Sequence, residues 1–333
     1  MLLLGVDGGA TKTVAVVADE SGRVLGSGRA GGSDLHGPDE ELALDELARA
    51  IGLAVAAAGR EPRDIGAAVL ACCGADWPED FDDIRSGVMR RVALGTEPEV
   101  VNDGFGTLRA GTPDGVGLAV ALGTGLSVCA AGPTGRWHSS YWADDAGAVS
   151  LARASVRAAV RAELGLGSPT VLAAAVPAAL GLSTAALALH ALTRRRGLPP
   201  AAHGRIAEAA LRAASDGDEV AVELVEDVVR VCAESAQLAV REAGLAPGSV
   251  PLVLAGGLFR GDPGILRGRL AARIPATEIV HPALEPVGGA LLLAFDAAGI
   301  VPVRERLRAT FPDGAWFDTR DDGSAPPSSG VPG

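Results

Sequence analysis

Short apolar runs, divided by glycine and acidic positions, fill the first part of the chain. Runs over 2–6 and 14–18 flank a glycine turn and 23–28 adds a third strand, so the chain predicts a three-stranded meander at its start. Apolar positions then recur at helical spacing over 38–58, after an acidic first turn, and predict a helix. A buried strand is predicted over 65–73.

The strand–turn–strand pattern occurs a second time about 115 residues later. An apolar strand over 115–122 meets a glycine turn and returns as a strand over 127–131. A long helical stretch over 148–243 follows, and then another strand, 250–254, also ends at glycines. Alternating strands and helices with two matching hairpins predict an α/β fold of two similar domains that face one cleft.

The turn of the first hairpin combines groups suited to a polyphosphate and its metal: Asp7, Gly8, Gly9, Thr11, Lys12 and Thr13. Glycines let backbone N–H groups approach a ligand, threonines donate hydrogen bonds and a lysine adds positive charge. Asp7 can hold a divalent metal through water. Lys12 is the only lysine in an arginine-rich chain, which indicates that an ammonium group is needed there. The alternative is a hairpin whose glycines merely fit the turn.

Polar residues and glycines follow the other predicted strands as well. They are Asn102 and Asp103 after a short strand at 100–101, Gly123, Thr124 and Gly125 after 115–122, and Gly256 and Gly257 after 250–254. Ligands of α/β sheets bind beyond the carboxyl ends of strands, so these positions are expected to line one site. From the residues alone, Asp103 is equally well explained as a turn aspartate in Asn-Asp-Gly.

Composition excludes several classes of partner. The 333 residues carry a net charge of −12 with a pI near 4.9, which argues against nucleic acid and anionic membranes. No apolar run reaches the length of a membrane span, and the first strand is too short for a signal peptide. Four cysteines without metal-ligand spacing (Cys72, Cys73, Cys129 and Cys232) predict a reducing, cytoplasmic setting. The polar tail 318–333 is expected to be disordered.

Four motifs resemble those of the sugar kinase, actin and heat-shock chaperone ATPase superfamily, most of all its N-acetylglucosamine kinase branch beside the BadF/BadG-type ATPases. GVDGGATKT at 5–13 is similar to the first phosphate motif, with Ala10 in place of a glycine. ALGTGLSV at 121–128 resembles the second phosphate motif, VLAGGLFRG at 253–261 the adenosine motif, and PVGGALLLA at 286–294 the start of the closing helix. The resemblance extends from residue 3 to about residue 297.

The resemblance implies two ribonuclease-H-like domains of the actin-like ATPase type around a central nucleotide cleft. They are expected over 1–114 and, with a helical insertion, over 115–287, and a final helix at 288–310 is expected to pack back on the first. ATP and Mg²⁺ are the implied cofactors, with the glycine turns holding the nucleotide and Asp7 the metal. Phosphoryl transfer to a sugar hydroxyl follows, with Asp103 as the catalytic base. Many relatives form dimers, so a homodimer is expected.

The sugar side departs from the kinase pattern. The expected acceptor-binding residues are Ser33, Asp34, Gly74, Asn102, Asp103 and Asp145. Asp34 stands where the kinases carry an asparagine, and Cys73 where they carry a serine. In the segment 144–148, Ala146 and Ala148 replace a glutamate and a serine. Loss of groups that hydrogen-bond a substrate changes discrimination between substrates, so the acceptor pocket is predicted to be rebuilt.

These features favour an ATP-dependent kinase of a sugar or amino sugar similar to N-acetylglucosamine or glucosamine. Trp137, Tyr141 and Trp142 are either a platform for that sugar or packing at the domain hinge. One alternative is a BadF-type ATPase that drives a partner protein, although no cysteine spacing supports the iron–sulfur cluster of such activators. Another is a sugar-binding relative without turnover, against which the retained Asp7 and Asp103 argue.

Overall fold

Two five-stranded sheets form the frame of the protein, in a computed structural model that describes residues 1–139, 146–195 and 197–317. The strands of the first sheet are β1 (Leu2–Gly8), β2 (Thr13–Asp19), β3 (Val24–Ala30), β4 (Ile65–Cys72) and β5 (Glu99–Asn102). Those of the second are β6 (Gly117–Leu122), β7 (Leu126–Gly132), β8 (Gly135–His138), β9 (Leu252–Ala255) and β10 (Ile279–Val280).

The helices fall into three groups along the chain. Around the first sheet lie α1 (Glu40–Ala57), α2 (Pro78–Arg91) and α3 (Asp103–Gly111). Within the second half are α4 (Ala148–Glu163), α5 (Leu172–Ala179), α6 (Ala185–Thr193), α7 (Pro200–Ser215), α8 (Glu219–Glu242), α9 (Gly257–Gly261) and α10 (Ile265–Arg273). The last group is α11 (Pro286–Ala297), α12 (Arg304–Thr310) and α13 (Gly314–Phe317).

Both sheets have the same topology. The first has the order β3-β2-β1-β4-β5, with an antiparallel meander β1-β2-β3 and parallel pairs β1-β4 and β4-β5. The second repeats this pattern as β10-β9-β6-β7-β8, with β6 in the place of β1. The predicted fold of two similar α/β units, each started by a hairpin with a glycine turn, is confirmed.

Three buried apolar clusters order these elements into layers. One covers the outer face of the first sheet with α1 and α2, and another covers the second sheet with the helices of the second half. The third joins the two sheets, because Leu3 of β1 and Ala119 of β6 share it with residues of α3 and α11. The helices α3 and α11 therefore lie between the sheets, behind the strand ends that form the site.

Glycines let the helix α11 approach both β1 and α3 closely. A Cβ at Gly5 would overlap the backbone of Leu291, and one at Gly289 would overlap the carbonyl of Gly106 in α3. The buried guanidinium of Arg109 in α3 donates to both carboxylate oxygens of Asp296 in α11, at 2.6 and 3.0 Å. This charge-assisted pair fixes the crossing of the two helices.

Two details differ from the sequence-based expectation. The segment 288–310 is not one helix, because α11 ends before Gly299, whose φ is +66°, and Pro302 precedes α12. The strand β8 was not predicted, since its four residues are too few for a periodic pattern. Residues 318–333 lie outside the described part of the chain. Across the described residues, no helix is long and apolar enough to cross a bilayer.

Candidate active site

Three parallel strands bring the central carboxylates to one edge of the first sheet. Gly8 of β1 pairs with Cys72 of β4, which in turn pairs with Asn102 of β5. Asp7 lies next to the end of β1, and Asp103 follows β5 as the first residue of α3. Asp7 and Asp103, the two carboxylates predicted to take part in the reaction, thus lie at the edge at which α/β sheets bind their ligands.

The proton affinities of these carboxylates depart from their ordinary values. Burial raises the pKa of Asp7 to about 7, with the negative charge of Asp103 adding to it and Lys12 opposing it. Burial likewise raises the pKa of Asp103 to about 6, which a hydrogen bond from Ser127 opposes and the carboxylate of Asp76 reinforces. A carboxylate with a pKa near the working pH can take up a proton efficiently, so Asp103 suits a general base.

Asp103 is held from the opposite sheet. Ser127 of β7 donates its hydroxyl proton to Oδ1 of Asp103 at 3.1 Å. The approach of β7 to α3 requires Gly104, where a Cβ would lie 2.8 Å from Oγ of Ser127 and 2.9 Å from Sγ of Cys129. Asn102 caps α3 by accepting the N–H of Gly104 at 3.1 Å. The carboxylate is therefore oriented by groups of both sheets.

The first glycine turn is tied together from behind. The N–H of Gly9 donates to the carbonyl of Lys12 at 2.9 Å, and the N–H of Ser33 donates to the carbonyl of Gly9 at 3.0 Å. Thr13 donates its hydroxyl proton to the carbonyl of Gly31, and its oxygen lies 2.8 Å from Oγ of Ser33. Both hydroxyls are fully buried. In this structure Thr13 and Ser33, two of the predicted site residues, brace the turn rather than line the cleft.

Thr11 and Lys12 occupy the tip of the same turn. Thr11 is exposed and Lys12 half-buried. The ammonium of Lys12 donates to the main-chain carbonyl of Phe317 at 2.8 Å and lies 5.7 Å from the centre of the Phe317 ring. Burial lowers the pKa of Lys12, while the carboxylates of Asp7 and Glu285 act in the opposite direction. The only lysine of the chain therefore contacts the last residue that the structure describes.

The second glycine turn is open toward the cleft. The N–H of Gly123 donates to the carbonyl of Gly125 at 3.0 Å, and a Cβ at either glycine would meet nothing within 4 Å. The carbonyls of Gly123 and Thr124 accept the N–H groups of Ala148 and Val149 at 2.9 and 3.1 Å. This turn is consequently joined to the N-terminus of α4.

The third turn has one glycine that packing requires and one that it does not. Gly256 has a φ of +102°, and a Cβ there would overlap the carbonyl of Leu122 at the end of β6. Gly257 begins α9, and a Cβ there would meet nothing within 4 Å. Gly256 thus joins β9 to β6, and Gly257 leaves a gap beside the second glycine turn.

The acceptor side contains an acidic group of residues. Gly74 has a φ of +75°, and a Cβ there would lie 2.9 Å from Oδ1 of Asp34 and 3.1 Å from the N–H nitrogen of Leu35. The amide of Asn102 donates to Oδ1 of Asp76 at 3.0 Å. Burial raises the pKa of the Cys73 thiol, with Asp103 and Asp34 contributing. Asp34, Cys73, Gly74 and Asn102 therefore lie around Asp103.

Asp76 is a site residue that the sequence reading missed. It lies two residues beyond Gly74, bonds Asn102 and helps to raise the pKa of Asp103. The N–H groups of Asp76 and Trp77 donate to Oδ2 of Asp80 at 3.0 and 2.7 Å, which fixes the loop. The available signal was a carboxylate two residues after the glycine that ends a buried strand.

The second part of the predicted acceptor pocket is described only in part. Asp145, Tyr141 and Trp142 lie outside the described residues. Ala146 and Ala148, which stand where the resemblance implies a glutamate and a serine, are both buried. Trp137 is half-buried and packs against the apolar cluster that covers the second sheet, which is not the cluster that joins the two sheets.

The donor groups fit a magnesium ion that arrives with a nucleotide. Within the described residues, no three His, Cys, Asp or Glu side chains lie close enough to form a metal site by themselves. Asp7 is a carboxylate at the end of β1, in electrostatic contact with Asp103 and Lys12. Mg²⁺ retains several waters and binds through one or two carboxylates together with substrate phosphates, so Asp7 would hold it in that way.

Two sheets of one topology, with glycine turns and two carboxylates at their facing strand ends, define a two-domain ATPase fold of the actin-like type. The chain belongs to the BadF/BadG/BcrA/BcrD ATPase family, whose sequence model matches residues 4–294. Among curated proteins, no relative with significant similarity was found.

Solved structures share the fold at low sequence identity. A candidate N-acetylglucosamine kinase from Chromobacterium violaceum is 24% identical, with a TM-score of 0.66 over 88% of this chain and 98% of its own. A second such candidate from Porphyromonas gingivalis is 20% identical, with a TM-score of 0.62 over 90% and 100%. A ROK-family glucokinase from Streptomyces griseus, in complex with glucose and AMPPNP, is 19% identical, with a TM-score of 0.55 over 89% and 100%.

Proposed function

We propose that this protein is an ATP-dependent kinase that phosphorylates a hydroxyl of a sugar or amino sugar. The observation that carries the proposal is the position of Asp103. This carboxylate lies at the strand edge between the two glycine turns, bonded to Ser127, and burial raises its pKa to about 6. The named activities of the structural neighbours, N-acetylglucosamine kinase and glucokinase, support the same class of reaction.

The phosphates are proposed to bind between the two hairpin turns. The turn Gly123-Thr124-Gly125 has open space beside both glycines, and Lys12 adds the positive charge that an acidic protein needs to hold a polyphosphate. Gly257 gives the adenosine room to approach. Mg²⁺, held by Asp7, would neutralise charge on the phosphates when bound. Phosphoryl transfer depends mainly on such positioning and charge compensation.

Asp103 is proposed to accept the proton of the attacking hydroxyl. The Ser127 hydrogen bond holds Oδ1 of this carboxylate, and Oδ2 is proposed to accept the proton of the acceptor hydroxyl. Asp34, Asp76 and Asn102 border that position and offer acceptors for several hydroxyls or for an amine. Expected substrates are therefore N-acetylglucosamine, glucosamine or a related sugar. A homodimer and a cytoplasmic location, expected from the resemblance and the cysteines, belong to the same proposal.

The test is ATP turnover against a panel headed by N-acetylglucosamine, glucosamine and glucose. One sugar is expected to raise turnover by orders of magnitude. Asp103→Asn should lower that sugar-dependent rate by about 10²–10⁴-fold, because general-base catalysis contributes that much. The matched control is Asp83→Asn, which alters an exposed aspartate of α2.

A different result would identify a different function. ATP hydrolysis that is slow, indifferent to every sugar and unchanged in Asp103→Asn would contradict the kinase proposal. A partner-driven ATPase would then be the better account, in line with the ATPase family to which the chain belongs. Absence of turnover together with binding of a sugar would favour the non-catalytic alternative.

A further inference from the structure

A cavity lies at the end of α3 that is remote from the proposed catalytic base. Asp103 begins α3, and the cavity borders the last residues of this helix and the loop after them, up to Pro113. At a rise of about 1.5 Å per residue, the two ends of α3 are about 12 Å apart. The cavity has a volume of about 290 Å³, close to the lower limit of pockets that hold small molecules. It can therefore take a compact ligand away from the proposed nucleotide cleft.

The walls of the cavity come from both halves of the molecule. On one side is α12, which is bound to the first sheet because Val24 N–H donates to Thr310 Oγ1 at 2.9 Å. On the other side is the connection from β10 to α11, residues 280–284, and β10 pairs with β9 of the second sheet. Arg304 of α12 also donates to the carbonyl of Pro113 at 3.0 Å. The cavity is thus a space between elements that belong to different sheets.

The buried part of the lining is apolar, and the exposed part is cationic. Leu292 and Leu307 are each 1% exposed and belong to the apolar cluster that joins the two sheets. His281, Arg304 and Arg308 are exposed. Among the described residues, none gives these three side chains a carboxylate partner, and no aspartate or glutamate lines the cavity. Two guanidinium groups beside an apolar space, in a chain of net charge −12, favour a ligand that is both anionic and apolar.

We propose that this cavity binds a small organic anion, whose carboxylate or phosphate group pairs with Arg304 and Arg308 and whose apolar body packs on the buried leucines. Guanidinium groups suit both kinds of oxyanion, because their N–H donors can bind two oxygens at once. An anion without an apolar body would leave the leucines uncovered, and a neutral apolar molecule would leave both guanidinium groups without a counter-charge. The site does not depend on the proposed kinase reaction, since its residues are not those assigned to the cleft.

The first test is calorimetric titration of the full chain with small probes. Phenyl phosphate and benzoate carry the two kinds of oxyanion on the same ring, and at least one is expected to bind with a Kd below about 1 mM. Benzyl alcohol, which is neutral, and inorganic phosphate, which has no apolar body, should each bind at least about tenfold more weakly. Tighter binding of phenyl phosphate would identify a phosphate ester as the ligand, and tighter binding of benzoate a carboxylate.

The same titration on variants locates the bound probe. Arg304→Met/Arg308→Met should weaken binding of the tighter anion at least about tenfold, because its charge-assisted hydrogen bonds are lost. The matched control is Arg306→Met, which alters an exposed arginine of the same helix that does not line the cavity. The control should bind the anion as the unaltered chain does. Saturation with AMPPNP and Mg²⁺ should leave the affinity for the anion unchanged, because the nucleotide is proposed to bind elsewhere.

Hydrogen exchange of the unaltered chain remains informative if the double variant fails to fold. Peptides covering 280–284 and 304–308 should exchange more slowly when the tighter anion is added. Failure of both anions to bind, undiminished binding to the double variant, competition with AMPPNP, or unchanged exchange in both peptides would each overturn this inference. None of these results bears on ATP turnover with sugars, which tests the kinase proposal separately.

Discussion

The two hairpin turns at the cleft share one topology but differ in their surroundings. A Cβ at Gly8 would lie 2.8 Å from Ser33 Oγ and 3.1 Å from Cys72 Sγ, whereas one at Gly123 or Gly125 would meet nothing within 4 Å. The first turn is braced from behind and covered in front by Phe317, and the second faces open space. Close packing therefore requires the glycine in the first turn, whereas packing does not require the glycines in the second turn.

Substitution of one glycine in each turn should produce the largest difference between the two turns. Gly8→Ala is expected to lower the free energy of unfolding by about 3 kcal/mol, because the added methyl overpacks a site closed by Ser33, Cys72 and Leu47. Gly123→Ala should change it by less than about 1 kcal/mol and weaken ATP binding instead. Urea unfolding and ATP titration of both variants check this. Equal loss of stability in the two variants would remove the distinction between the turns.

The pH dependence of the free energy of unfolding should show that the Asp7 carboxylate in the first turn is buried. The pKa of Asp7 is about 7 in the folded protein, above its ordinary value of 3.8, because burial disfavours the carboxylate. The folded state then binds the proton more tightly than the unfolded state, so this group makes stability fall as pH rises from about 4 to about 7. Asp7→Asn should flatten that fall by about 2 kcal/mol.

Thermal unfolding between pH 5 and pH 8 measures this effect, with Asp83→Asn as the control for loss of an exposed carboxylate. Asp103 contributes in the same direction, since its pKa is raised to about 6. The stability of Asp7→Asn should therefore depend on pH less steeply than that of the unaltered chain, but it should still depend on pH. A dependence as steep as that of the unaltered chain would show that Asp7 is not desolvated at this turn.

Replacement of Lys12 should show whether the first turn, although closely packed, also binds the phosphates of ATP. Lys12→Met keeps the length of the side chain but not its charge, so ATP affinity is expected to fall about tenfold while adenosine affinity stays unchanged. Arg60→Met, an exposed cation past the end of α1, is the control. Loss of adenosine binding along with ATP binding would indicate a structural role for Lys12 instead.

The smallest expected effect lies where the second hairpin contacts the base. Ser127 donates to Asp103 and so favours its charged form. Ser127→Ala should raise the pKa of Asp103 and move the acidic limb of kcat/KM to higher pH, with about a threefold loss at pH 6 and little at pH 8. Ser127→Thr keeps the hydroxyl and should restore the profile. A uniform loss at all pH values would assign Ser127 to packing alone.

The sequence predicted those parts of the fold in which local pattern and buried position agree. The hairpins, the helix α1 and the strand β4 follow from apolar runs whose period matches the element formed, and turn glycines mark their ends. The break between α11 and α12 differs from the predicted helix at 288–310, although Gly299 and Pro302, which end helices, stand there. β8 was missed because four residues are too few to show a period.

The sequence by itself determined the element types, the glycine turns and the identities of Asp7 and Asp103, because these depend on residue chemistry and short spacings. Only the tertiary structure decided which hydroxyls are available: Thr13 and Ser33 bond each other in the interior, and Ser127 crosses from the other sheet to the base. It also brought Asp76 to Asn102 and Phe317 to Lys12, contacts that span 26 and 305 residues. Such pairings depend on how two sheets and the end of the chain pack together, and no local pattern records that packing.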